Sequence, residues 1–322
     1  MFDQRLRTVL RVTVSLALLA FVVRSVGVDS FADALATVSP RILLVALGLS
    51  VVNVAVSTYK WGLLLRIKGI DVPFRTLVNY YYVGKFFNAF LPTNIGGDGV
   101  RVYYLHDGHD AGPDSVSSVV VERLTGLLTV LVLAGVASVF LLGRLPTAVV
   151  AAVFLVFVPG GVVLFGLLFT DAGRRLFERT LFRVERFGLG ERVADAYGAI
   201  HAYRDAGRAL VPVFALSVLY RLLLVVNHFL VALALGIHVP VVYFLAFVPL
   251  VELLLAAPVS IQGFGVREVS YVYLFGAVGV ASGLALTLGV LMQLVLTVFN
   301  NVLGGLVYLA NGDGIDRAAT RP

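Results

Sequence analysis

Pro92-Thr93-Asn94-Ile95-Gly96-Gly97-Asp98-Gly99-Val100-Arg101 and Pro258-Val259-Ser260-Ile261-Gln262-Gly263-Phe264-Gly265-Val266-Arg267 align without a gap. Proline, isoleucine, both later glycines, valine and arginine coincide. Each copy breaks an otherwise apolar stretch, 76–105 in the first case and 239–279 in the second. Coincidence at fixed spacing, in matching positions of two similar stretches, points to an internal duplication. Proline ends an incoming helix and glycines permit a tight turn, so each stretch reads as a helical hairpin that enters the membrane and returns.

Around the hairpins lie six long apolar runs, at 12–28, 42–65, 117–142, 147–169, 209–235 and 282–310. They have the length that crosses a bilayer. Of 322 residues, 59% are hydrophobic and only 14% charged, where soluble domains have roughly 45–50% and about 25%. Lipid must therefore cover most of the surface, and the chain is expected to be an all-α polytopic membrane bundle forming one domain over 1–322. The net charge of +6 does not imply nucleic acid, because the arginines sit between apolar runs. With no cysteine, thiolate metal sites, iron–sulfur clusters and cysteine nucleophiles are excluded.

The first run follows Arg5, Arg7 and Arg11 and reads as a span; Arg24 stands where a signal peptide would carry small residues. Arginine-rich loops alternate with poorly charged ones, which places both termini in the cytoplasm of a cell-membrane protein. The linker 170–208 mixes Arg174, Arg175, Arg179, Arg183 and Arg186 with Leu176, Phe177, Leu181 and Phe182. That pattern suits helices lying on an anionic inner leaflet. It separates a first half, to about 169, from a second half, 209–310. Three crossings divide the hairpins, so the second is expected to open to the opposite face. Inverted repeats with helices broken at mid-membrane are an architecture of secondary transporters.

The outgoing half-helix of each hairpin is expected to present unpaired N–H groups and a positive dipole end, with Arg101 or Arg267 beside it. An anion such as phosphate would be held there by the planar guanidinium. Candidate substrate-binding residues around the first break are Lys85, Asn94, Gly97, Asp98, Gly99 and Arg101. Those around the second are Ser260, Gly263, Gly265, Arg267 and Glu268, joined by Glu122, Arg123 and Arg221 from the spans. Polar residues also form helical stripes: Asn53, Ser57 and Lys60; Tyr81, Lys85 and Asn88; Ser118, Glu122, Thr125 and Thr129; Gln293, Thr297 and Asn300. Such faces should point into the bundle. Glu122-Arg123 and Arg267-Glu268 are either local salt bridges or substrate ligands. His228 reads as an interior group. His106 and His109 have a spacing that could hold a metal, but 107–115 reads first as a polar turn. No cofactor is expected.

The order Leu91-Pro92, the glycine-rich turn, Val100-Arg101-Val102-Tyr103-Tyr104-Leu105, Val121-Glu122-Arg123-Leu124, and Ala257-Pro258 leading to Gly263-Phe264-Gly265-Val266-Arg267-Glu268 resembles the flippase-like family. That family includes the transmembrane region of lysylphosphatidylglycerol synthases. The resemblance implies movement of a polar-headed lipid between leaflets, either an aminoacylated phosphatidylglycerol or a polyprenyl-linked sugar. It carries site roles onto Glu122, Arg123, Gly263, Gly265, Arg267 and Glu268. The residues after Ala310 are too few for the synthases' soluble aminoacyltransferase domain, so lipid aminoacylation is not expected of this chain. A membrane-embedded glycosyltransferase is the rival class, yet no phosphate-binding loop with Lys-Ser/Thr, His-Glu-x-x-His or Gly-x-Ser-x-Gly occurs. An accessory subunit of a lipid-glycan pathway, working beside a lipid-modifying enzyme, is the third reading.

Overall fold

The computed structural model describes residues 36–89, 96–109, 111–140, 147–173, 197–256 and 263–318, with isolated positions between them. All regular structure among these residues is helical. The first half holds α1 (Pro40–Ile67), α2 (Phe74–Asn88), α3 (Gly96–His109) and α4 (Gly112–Phe140). Next come α5 (Thr147–Ala152), one π turn, and α6 (Val158–Phe169). After a 3-10 segment (Ala202–Leu210), the second half holds α7 (Val211–Ala234), α8 (Val241–Ala256), α9 (Val266–Gly276), α10 (Ser282–Gln293), a second π turn and α11 (Phe299–Ala318).

Four helical stretches, Pro40–Ile67, Gly112–Phe140, Ala206–Ala234 and Ser282–Ala310, are long and apolar enough to cross a membrane. The run 147–169 is helical but interrupted by its π turn. The expected first span, 12–28, lies outside the described residues. Outward side chains such as Leu44, Val132, Phe140, Leu155 and Leu309 are exposed and apolar, as a lipid-facing surface requires. The protein is thus an all-α polytopic membrane protein.

The similarity between the two halves extends further than the two hairpin breaks. Residues 69–73 read Gly-Ile-Asp-Val-Pro and residues 236–240 read Gly-Ile-His-Val-Pro. Both follow a long helix and fold alike: Gly69 and Gly236 have φ of 75° and 71°, which favours glycine. The N–H of Gly69 donates to the Arg66 carbonyl and that of Ile70 to Leu65, while Gly236 donates to Leu233 and Ile237 to Ala232. These are matching Schellman closures. Each half therefore runs long helix, Gly-Ile-x-Val-Pro turn, half-helix, break, half-helix, long helix.

Packing between the halves is reciprocal. Helices α1 and α7, equivalent in the two halves, lie against one another. Helix α2 packs on α11 of the second half, and α8, its counterpart, packs on α4 of the first. An exchange of this kind is what a two-fold relation between duplicated halves produces. Close approach at the first exchange depends on Gly304 and Gly305, which take the Tyr82 backbone and the Phe86 ring against bare backbone. Phe86 also stacks on Tyr308 at 5.8 Å.

Within the first hairpin, α2 and α3 meet backbone to backbone at Gly84 and Gly97. A methyl on Gly84 would stand 2.7 Å from the Gly97 carbonyl oxygen, and one on Gly97 would collide with the Gly84 carbonyl. Since backbone atoms cannot swing aside as a side chain can, Gly97→Ala should lower stability by about 1–3 kcal/mol through forced separation of the two half-helices. A denaturation midpoint in detergent checks this, with Gly99→Ala as control because a methyl there meets nothing within 4 Å.

Candidate functional site

Seven helices from both halves enclose a cavity of about 600 Å³. Its wall carries Ser57 and Lys60 from α1, Tyr81 from α2, Asp98 and Arg101 from α3, and Glu122 and Arg123 from α4. The second half contributes Ser217, Tyr220 and Arg221 from α7, Glu252 from α8 and Arg267 from α9. A smaller chamber of about 160 Å³ shares Ser57, Tyr81, Tyr220, Glu252 and Arg267 with it and adds Asn53, Lys85 and Asn300. The helical stripes read from the sequence are what bring these groups inward: Asn53, Ser57 and Lys60 are all buried on one face of α1.

Arg101 is paired through one end of its guanidinium, while its buried Nε has no hydrogen-bond partner among the described residues. Its Nη2 donates to Glu122 Oε2 at 2.8 Å and lies 3.3 Å from Asp98 Oδ1. Its guanidinium also sits over the rings of Trp61 and Tyr81, at 4.7 and 4.3 Å. Glu122 accepts two further hydrogen bonds, from Ser57 Oγ at 3.0 Å and Tyr81 OH at 3.2 Å. Charge, stacking and hydrogen bonds thus close on one buried pair, the arrangement in which a guanidinium and a carboxylate offset their desolvation.

Arg267, the equivalent residue of the second repeat, is held differently. It is 7% exposed and donates to the Gln293 carboxamide oxygen, and among the described residues it makes no ion pair. The same holds for Lys60, whose ammonium donates to the Glu122 backbone carbonyl at 3.2 Å, and for Lys85. Arg221 pairs with Glu252 at 3.2 Å, and Arg123, half exposed, pairs with Asp98. The symmetry of sequence between Arg101 and Arg267 is therefore not a symmetry of environment.

The helix N-termini depart from the expectation of free N–H groups. Asn88 Oδ1 accepts the Gly97 N–H at 2.6 Å, capping α3 from α2. Glu268 Oε2 accepts the Gly265 N–H at 2.7 Å, capping α9 from its own first turn. Gly263 and Gly265 have φ of 84° and 81° and shape the turn before α9. Cationic side chains, rather than those two backbone amides, are what the cavity offers an anion. Asn94 and Ser260 lie outside the described residues. Neither local salt bridge forms: Glu122 pairs with Arg101 instead of Arg123, and Glu268 serves as a cap. Consecutive residues on a helix do not face each other.

His228 is interior, as read: Nδ1 lies 2.7 Å from the Leu224 carbonyl and the ring meets Tyr271 edge-on. Among the described residues no cluster of three His, Asp or Glu side chains could hold a metal. His106 Nδ1 instead accepts the Gly112 N–H at 3.1 Å. The turn expected at 107–115 is shorter than read, since α3 continues to His109 and α4 begins at Gly112. Of the linker 170–208, much lies outside the described residues; its two ends meet where Arg204 pairs with Asp171. Lys60, Tyr81, Tyr220 and Glu252 line the cavity but were not singled out as ligands from the sequence. The stripe containing Lys60 was the available signal.

Comparison with known proteins agrees with this architecture. A UPF0104 membrane protein of Methanothermobacter thermautotrophicus is 30% identical over 186 residues, covering 55% of this chain and 54% of the relative. The alignment thus spans about half the length of that relative. The sequence profile of the family described as lysylphosphatidylglycerol synthase TM region matches residues 8–304. With that match running through both repeats and every helix of the cavity, the chain belongs to the lysylphosphatidylglycerol synthase TM region family.

Proposed function

We propose that the protein is a flippase-like transporter that moves a polar-headed lipid, bearing an anionic phosphate, between the leaflets of the cell membrane. The observation that carries this reading is the cavity where the two repeated halves meet, with five cationic side chains against three carboxylates on its wall. A buried excess of cations is costly unless an anion enters to complete it. Repeats that share one site, with the hairpins related by an odd number of crossings, supply the geometry of alternating access. The linker 170–208 would rest on anionic lipids of the cytoplasmic leaflet, on the same side as both termini.

The test is transfer of headgroup-labelled lipids across proteoliposome bilayers by the purified chain. Transfer above protein-free vesicles, lost when the cavity arginines are changed, is the expected result. Metal-dependent sugar transfer to a polyprenyl phosphate with no lipid movement would replace it by the glycosyltransferase reading, and activity only with a lipid-modifying enzyme present by the accessory-subunit reading.

Asp71 and His238 occupy equivalent exposed positions in the two Gly-Ile-x-Val-Pro turns. In an inverted repeat they face opposite sides. Single cysteines placed there in the cysteine-free chain should label with an impermeant maleimide from the cytoplasm for Asp71→Cys and from outside for His238→Cys. Labelling from one side only would remove the inversion.

A further inference from the structure

Taken together, the two chambers are walled by six cationic side chains and three carboxylates. Glu268 adds a fourth acid nearby, yet its carboxylate is turned to the Gly265 N–H as a cap. Arg101, Arg123 and Arg221 are already paired with Asp98, Glu122 and Glu252. Lys60, Lys85 and Arg267 are not, among the described residues. The imbalance is thus concentrated in three side chains, and they stand on three different helices of both halves.

We infer that the headgroup this cavity takes is dianionic, a phosphomonoester or a diphosphate, rather than a phosphodiester that also bears an ammonium group. The inference rests on the anion-transport reading and narrows its substrate. A phosphodiester carries one negative charge and would leave two of these three buried cations without a charged partner; an added ammonium would bring a further positive charge into a wall that already has an excess. A dianion satisfies two of the three free cations, and Lys60, closest to the Glu122 carbonyl, keeps a neutral acceptor. Bidentate capture by Arg267 with point-charge support from Lys85 is a suitable donor set for a group with two negative charges.

The experiment uses full-length protein in detergent and the fluorescence of Trp61, the single tryptophan of the chain, which lies under Arg101. Short-chain phosphatidic acid, a phosphomonoester that can lose a second proton, is compared with phosphatidylmethanol, the same phosphate carrying a methyl ester and confined to one charge. Lysyl-phosphatidylglycerol and inorganic pyrophosphate complete the series. Phosphatidic acid should bind about tenfold more tightly than phosphatidylmethanol, and Lys85→Gln or Arg267→Gln should bring that ratio close to one, with Lys85→Arg preserving it. Equal binding of the two lipids, abolished by Arg267→Ala, would overturn the dianion inference while leaving an anion site. Tightest binding of lysyl-phosphatidylglycerol would overturn it as well. Pyrophosphate, which carries more than two charges near neutral pH, binding as tightly as phosphatidic acid supports a site for multiply charged phosphate and assigns it to a soluble ligand. Binding of none of these probes by folded protein would remove the anion site itself.

Discussion

Glu122→Ala is expected to destabilise the protein by about 3–5 kcal/mol, because it strands a buried guanidinium. Arg101 and Glu122 are 3% and 5% exposed, and the carboxylate receives Arg101, Ser57 and Tyr81 together. Its removal leaves Arg101 with Asp98 alone, a carboxylate already shared with Arg123. The Ser57 and Tyr81 hydroxyls lose the carboxylate as acceptor and keep each other at 2.8 Å. Glu122→Gln keeps the shape and one acceptor oxygen but not the charge, so an intermediate loss follows. If the pair is structural, Arg101→Met combined with Glu122→Leu should recover much of the stability lost in the single variants, since apolar residues of similar volume need no partner. The measurement is a denaturation midpoint in detergent, followed by size-exclusion to confirm the folded fraction. Wild-type stability of Glu122→Ala would mean that the pair contributes nothing to the fold.

The membrane class and the inward polar stripes were legible in the sequence because each is a periodic signal, long apolar runs in one case and polar residues at helical spacing in the other; a glycine-proline pattern at matched places pointed to duplication. The Gly-Ile-x-Val-Pro turns belong to the same repeat but are short and lie outside the broken stretches, so only their identical hydrogen bonding made them evident. Ion-pair partners were another matter. Arg101 and Glu122 stand 21 positions apart, and Arg221 and Glu252 stand 31 apart. Nothing in spacing selects such pairs over the adjacent Glu122-Arg123 and Arg267-Glu268. At each of the two breaks one N–H expected to be free is taken, by Asn88 of the neighbouring helix in one case and by Glu268, three residues along the same helix, in the other. Similar sequence at the two arginines therefore concealed a division: one is paired with carboxylates, the other donates to Gln293 and has no ion pair among the described residues.

That division makes Arg267 the residue where function and stability should separate. Arg267→Ala removes a buried cation with no carboxylate partner among the described residues, so the desolvation it relieves offsets much of the lost contact with Gln293. Its folding stability should stay within about 1 kcal/mol of the parent. Lipid binding should weaken by about 2–5 kcal/mol if the phosphate is left facing a cavity without its principal ligand, and transfer should fall accordingly. Arg267→Lys keeps a charge but loses the planar fork, so transfer should lie between the two. Arg101→Ala should show the reverse order, a large loss of stability with any transport defect following from it. Headgroup-resolved transfer in proteoliposomes, beside a melting curve for each variant, distinguishes these patterns. Parental transfer by folded Arg267→Ala would show that the arginine is an interior charge held by Gln293 and that the anion enters elsewhere in the wall, with Lys60 and Lys85 next to be tested.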